Sequence, residues 1–429
     1  MNYCDLSTEE KREQLTHAQI EYDCLCKLKL SLDLTRGKPV AEQLDLSDEM
    51  FSVLTPENKA YIGEGNFDYR NYGLLTGIPE AKALFSKLLE IPERNLFIGG
   101  NSSLNMIYDA LCRLMLFGAP GVDEPWCRQA RVKFICPAPG YDRHFAILET
   151  LGFEMITVEY TKDGLLDIDR VEELARDPEV RGMICVPKYS NPTGYTYPRD
   201  IVRRLCKMQC AAPDFRIIWD NAYCVHDIYD ADKLANVFEF ADHYGTADRI
   251  LYFMSTSKMT FPGSGIAVMA LSDANMEQAK KLIGIQTIGA DKLNQIRHVR
   301  YLRDVEHIHA LMARHADFIR PKFDIVFDTL EAEIGSLGIA SWTHPNGGYF
   351  INLTVLDGCA KRVWELMKKA GVALTAAGAS YPYGRDPHDA NLRLAPTYSS
   401  LHELEVCIQA LCVCVRLASL EKMLADEPK

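Results

Sequence analysis

The chain has 429 residues, 48% hydrophobic and 25% charged, long enough for one large domain and a smaller one. Its net charge of -12, with no basic block, argues against a nucleic acid or an acidic membrane surface as partner and favours small metabolites. Fourteen cysteines are scattered without zinc-ligand spacing, so reduced thiols and no metal are expected. In chain order, Ser7 or Thr8 should cap a helix running through "EEKREQLTHAQIEYDCLCKLKL", with Glu9 and Glu10 at the positive end of its dipole. From Leu34 to about Ser272, the short apolar runs "VKFICP", "EMITVEY", "GMICVP", "RIIWDNAY", "RILYFM" and "GIAVMAL" alternate with amphipathic helical stretches. Such runs predict strands covered on both faces, and the alternation predicts a largely parallel sheet in an α/β domain. Leu302 to Ile334 reads as a long helix kinked or broken at Pro321. After it come a strand in "GGYFINL", a helix in "CAKRVWELMKKAG", a strand in "LRLA" and a terminal helix from Leu401. These readings give a small α+β domain built from both chain ends: residues 1–50 and 316–429, with 51–315 as the large domain.

An acidic N-terminal stretch stands where a secretory leader would be basic, and no apolar run approaches about 18 residues, so a cytoplasmic location is expected.

Functional groups in parallel α/β sheets gather at the carboxyl ends of the strands. Asn101, Ser102 and Ser103 follow "NLFIGG" at a helix mouth, where free N–H groups suit a phosphate as well as an ordinary cap. Tyr141 follows "VKFICPAPG" and could cover a flat ring or simply pack. Asn191 stands in "SNPTG", which an Asn-Pro turn also explains. Asp220 ends "RIIWD", where a carboxylate is costly to bury without a cationic partner, and Tyr223 is three residues on. Lys258 lies between a buried strand and a glycine-rich turn, where desolvation should lower its pKa and make its amine a nucleophile toward carbonyls. One molecule uses a phosphate cradle, a stacking aromatic, an amide, a carboxylate with a tyrosine, and an amine: pyridoxal 5′-phosphate.

"YGLLTGIPEAKALF", "GGNSSLNMI", "PGYDRH", "SNPTG", "DNAY", "STSK" and "NLRLAPTY", in this order, resemble the class I aminotransferases of pyridoxal-phosphate fold type I, nearest the aspartate aminotransferase subgroup Ic. The resemblance spans about Leu34 to Leu417. It implies that Lys258 forms the Schiff base and shuttles the Cα proton, and that Asp220 keeps the pyridine nitrogen protonated. Asn191 and Tyr223 would donate to the ring oxygen, with Tyr141 stacked on the ring. Ser102, Ser103, Ser255 and Ser257 would hold the phosphate, joined by Tyr72 from the other subunit of a homodimer with shared active sites. Arg393 would hold the substrate α-carboxylate, its fork matching two parallel hydrogen bonds.

The sequence departs from that pattern twice. Gly265 stands where most relatives place a phosphate-binding arginine, and Lys292 or Arg297 of the neighbouring subunit is the expected substitute. No arginine matches the usual reader of a distal carboxylate, so Arg36, beside Gly37 in "TRGKP", is the first choice and Lys38 the second. The implied reaction is transamination from an acidic amino acid, L-aspartate first, to 2-oxoglutarate. The same scaffold also hosts β-eliminating lyases. A regulatory domain fused to a DNA-binding module is a third reading, disfavoured because only one acidic helix precedes the unit.

Overall fold

The computed structural model describes residues 2–122 and 124–427. Met1, Asp123, Pro428 and Lys429, which fall within the three predicted segments, lie outside the described residues. Ser7 caps the helix Thr8–Lys27, its hydroxyl accepting from the Glu10 N–H while Glu10 reaches back to the Ser7 N–H. This reciprocal pair satisfies two of the donors that every helix start leaves free.

Twelve strands are present among the described residues. They are β1 (Leu32–Asp33), β2 (Leu96–Ile98), β3 (Lys133–Ala138), β4 (Glu154–Glu159), β5 (Val180–Cys185), β6 (Arg216–Asp220), β7 (Ile250–Ser255), β8 (Ala267–Leu271), β9 (Ala340–Trp342), β10 (Ile351–Val355), β11 (Val372–Ala373) and β12 (Asn391–Leu394). Seven form one sheet in the order β2-β8-β7-β6-β5-β3-β4, with only β8 antiparallel to its neighbours. The expected α/β architecture with a mostly parallel central sheet is therefore present. Strands β6, β7 and β8 are buried at every residue because helices cover both faces. Alternate side chains feed opposite cores: Ile217 and Trp219 point into one, Ile218 into the other.

One strand departs from that pattern. β4 is an edge strand with exposed positions along its length, so "EMITVEY" is covered on one side only. Its unpaired edge is partly closed by Tyr383, whose hydroxyl accepts from the Met155 N–H at 2.8 Å.

A second core joins the chain ends. The antiparallel sheet β12-β10-β9, the parallel pair β1-β11 and the helices Thr8–Lys27, Ala360–Ala370 and Leu401–Asp426 share it. In the last helix Leu404, Cys407, Ile408, Leu411, Cys414, Val415 and Ala418 recur at helical spacing and are all buried. Each fully buried leucine or valine contributes about 1.5–3 kcal/mol.

The helix Val305–Ile334 links the two cores, with Ile308, Leu311 and Met312 in the first and Ile319, Phe323 and Val326 in the second. Of the expected kink or break at Pro321, the break is absent: the helix runs on through it. Packing on both sides of the proline holds the helical path although one backbone hydrogen bond is lost. All fourteen cysteines are free thiols, and burial raises the pKa of Cys136, Cys185 and Cys414.

Candidate active site

The carboxyl edge of the large sheet collects the chemistry. Asp220, the last residue of β6, is 3% exposed, and its Oδ2 lies 2.9 Å from His144 Nε2. Its Oδ1 is buried with no hydrogen-bond partner among the described residues, leaving one carboxylate oxygen free for a donor. His144 sits on the helix Asp142–Thr150, and its ring meets that of Tyr141 edge-on, with centroids 4.9 Å apart. Lys258 follows β7 in a tight turn, its amine 4.9 Å from the centre of the Tyr223 ring and 5.8 Å from that of Tyr349. Burial lowers the Lys258 pKa, and the negative charge of Asp220 opposes that shift in part. Burial likewise holds the Tyr223 phenol well above its usual value, so it stays a proton donor.

Two neutral histidines brace the Lys258 turn. His315 Nε2 donates to the Met259 carbonyl at 3.0 Å, and its Nδ1 accepts from the Gln43 amide at 3.2 Å. His298 Nδ1 donates to the Asn294 carbonyl, and its Nε2 accepts from the Thr260 hydroxyl at 3.0 Å. Burial pushes both histidines down to about 4.

Hydroxyls and N–H groups cluster beside this turn. Ser255 and Ser257 share a hydrogen bond of 2.9 Å, and the Ser257 hydroxyl donates to the Asn101 carbonyl at 3.3 Å. Ser102 caps the helix Ser103–Phe117 and Ser103 is its first residue, so the positive end of the dipole opens here. Gly265, where the arginine was expected, is tightly packed. A Cβ on it would lie 3.0 Å from Thr256 Oγ1 and 3.3 Å from the Ser257 nitrogen. Arg297 supplies a cation to this turn instead, donating through Nη2 to Ser264 Oγ and Asn294 Oδ1, both at 2.5 Å, while its Nε is buried without a partner among the described residues. Within its own chain Arg297 is thus tied to Ser264 and Asn294. Lys292, the other candidate, is buried at the start of the helix Lys292–Leu302.

Arg393 on β12 closes the far side. Its Nη1 donates to Asp142 Oδ1 at 2.8 Å and Asn191 Oδ1 at 3.4 Å, and its Nη2 to Thr375 Oγ1 at 3.1 Å. Its guanidinium carbon lies 5.1 Å from the centre of the Phe350 ring. Gly37 packs on the same ring so closely that a Cβ would fall 2.3 Å from it, so only glycine fits there. Arg36 next to it is not drawn in: its side chain is 62% exposed and pairs with Asp33 at 3.4 Å. Lys38 lies over the Tyr398 ring, its amine 3.8 Å from the centre. Tyr72 is 78% exposed, outside the cluster that its own chain builds.

Several residues here were not singled out from sequence. His144 lies in the quoted "PGYDRH", three residues beyond Tyr141, the spacing that places two side chains on one helix face. Asp142 immediately follows Tyr141. His226 is buried against the rings of Tyr223 and Tyr349, neither nitrogen has a partner among the described residues, and burial with nearby Lys258 lowers its pKa far below its usual value. Nothing in "YCVHD" signals that placement. Among the described residues no group of three or more His, Cys, Asp or Glu could hold a metal ion, and no helix is long and apolar enough to cross a membrane.

Known proteins resemble this chain over nearly its whole length. A family model described as aspartate amino-transferase matches residues 6–427. An aspartate aminotransferase of Corynebacterium glutamicum is 43% identical over 416 residues, covering 96% of each chain. The crystal structure of an aspartate transaminase from the same organism superposes with a TM-score of 0.96 at 42% identity, over 98% of this chain and 99% of that one. An α-aminoadipate aminotransferase of Thermus thermophilus, solved with N-(5′-phosphopyridoxyl)-L-leucine, shares the fold at a TM-score of 0.71 and 19% identity, over 98% of this chain and 97% of that one.

Proposed function

The chain belongs to the aspartate aminotransferase family of enzymes, and from that premise we propose that it transfers the amino group of L-aspartate to 2-oxoglutarate, using pyridoxal 5′-phosphate held by a Schiff base to Lys258. One observation carries the reading. The half-buried Lys258 holds its amine against the Tyr223 ring within reach of the charge of Asp220, one oxygen of which is buried without a partner among the described residues, and Arg393 donates to Asn191.

The residues present fit the cofactor. Asp220 Oδ1 offers an acceptor to a protonated ring nitrogen, and His144 holds the other oxygen in place. Asn191 and Tyr223 offer donors to the ring oxygen, and Tyr141 offers a face to the ring. Ser102, Ser103, Ser255 and Ser257 are our candidates to hold the phosphate, with Arg297 as a candidate cation, since a helix N-terminus and a guanidinium favour negative charge. When bound, the cofactor supplies the electron sink that lets the substrate Cα–H bond break.

The chain's own residues do the rest. Arg393 binds the α-carboxylate and so orients the Cα–H bond. Lys258, its pKa lowered by burial, spends more of its time neutral and can take the Cα proton and return it one atom away. Asp220 keeps a proton at the atom its free oxygen faces. Tyr223, Tyr349 and His226 pack buried rings together beside the Lys258 amine and so keep water from that side of it. Arg36 is our candidate for reading the distal carboxylate, and a homodimer in which Tyr72 reaches the partner's phosphate site is part of the proposal, as is a cytoplasmic location.

Addition of aspartate to the cofactor-loaded protein should bleach its yellow colour to that of the amine form, and 2-oxoglutarate should restore it. Bleaching by neither aspartate nor glutamate would overturn the assignment. Ammonia and pyruvate released from a β-substituted amino acid without any oxo acid would assign the protein to the lyases.

A further inference from the structure

Arg393 carries a resident counter-ion. Of the five guanidinium donors, two on Nη1 go to Asp142 and Asn191 and one on Nη2 goes to Thr375. The Nε–H is buried without a partner among the described residues, and it and the second Nη2 hydrogen form the one edge of the fork left uncommitted. A substrate carboxylate fits that edge in two parallel hydrogen bonds. It would then share the guanidinium with Asp142, whose carboxylate sits 2.8 Å from Nη1 with a side chain 32% exposed, against 9% for Arg393.

Neither Asn191 nor Thr375 carries charge, so neither explains the acid. Asp142 is the first residue of the helix Asp142–Thr150, which also carries His144, and its one side-chain partner among the described residues is Arg393. A carboxylate at this distance orients the fork but also offsets the positive charge that the incoming carboxylate seeks.

We propose that Asp142 is a specificity-tuning residue that lowers the affinity of Arg393 for carboxylates, so that the amino acid and the oxo acid are both held weakly enough to exchange. This rests on the reading of Arg393 as the carboxylate holder. Substrate and product of a transamination carry the same α-carboxylate, so an unopposed arginine would bind both tightly and slow release of each.

The test is binding of succinate, a dicarboxylate that cannot react, to cofactor-loaded protein, read by calorimetry. Asp142→Asn keeps the shape and a hydrogen-bonding oxygen while removing the charge, and Asp142→Ala removes both. Both variants should bind succinate tighter, by about fivefold, and KM for aspartate should fall while kcat falls or holds. The gain should vanish in the double variant Asp142→Asn/Arg393→Gln. Equal or weaker succinate binding in Asp142→Asn, with weakened binding in Arg393→Gln, would mean that Asp142 only orients the arginine and would overturn this inference alone. Unchanged succinate binding in Arg393→Gln would overturn the reading of Arg393 itself.

Discussion

The pocket around Lys258 and the rim formed by Arg36 and Tyr72 were read from the same sequence, yet the chain treats them in opposite ways. In the pocket several groups meet partners from distant stretches: Asp220 with His144, Arg393 with Asp142, and the Met259 carbonyl with His315. At the rim Arg36 has only a neighbouring aspartate and Tyr72 stands in solvent. Burial makes the pocket's chemistry a property of the single chain, because a low dielectric enlarges every charge interaction there. Exposure leaves the rim's chemistry dependent on whatever covers it.

Substitutions should separate the two regions. Lys258→Ala should lower turnover by at least about 10⁴-fold, since one amine serves both as nucleophile and as proton carrier. The melting temperature should hold or rise, because a desolvated amine is gone; a variant that keeps its turnover would remove Lys258 from catalysis.

Acid should find the pocket next. His298 and His315 are neutral in the fold down to about pH 4, whereas unfolded histidine takes a proton near its usual value of 6.5. Between those values the unfolded chain binds more protons, so stability falls as pH drops from about 6.5 to about 4, by about 3 kcal/mol for each histidine at most. Denaturant midpoints across that range should slope steeply in the wild type and less in His315→Gln. Equal slopes would assign the acid sensitivity elsewhere.

The rim should respond only if it is completed from outside. Tyr72→Phe should weaken cofactor retention about tenfold, the worth of one hydrogen bond to a charged group, in a protein that sediments as a dimer. An active monomer, or unchanged retention, would leave Tyr72 an ordinary surface residue. The smallest effect belongs to Arg36→Ala. Its kcat/KM for aspartate should fall more than that for alanine, and a uniform loss would restrict Arg36 to shaping the turn before Gly37.

The contrast also explains what was legible in the sequence. Strands and the polar residues at their ends are local features, so "RIIWD" before Asp220 and "LYFMS" before Lys258 could be read directly. The edge position of β4 and the unbroken helix through Pro321 could not, because each depends on which neighbours pack beside it. The partners within the pocket were hidden for the same reason. Asp142 and Arg393 are 251 residues apart, and no local pattern announces that they meet. Arg297 was noticed as a cation, but its hydrogen bond to Ser264, 33 residues away, could not be read from a local pattern.

The bracing of the Lys258 turn sets a timetable for the enzyme's manufacture. Met259 is held by His315, which is held in turn by Gln43, so three stretches of chain must meet before the turn is rigid. Arg393 arrives later still. A ribosome that has made Lys258 has therefore made an ordinary, hydrated, positively charged lysine, and the full lowering of its pKa waits until the C-terminal third folds back beside it.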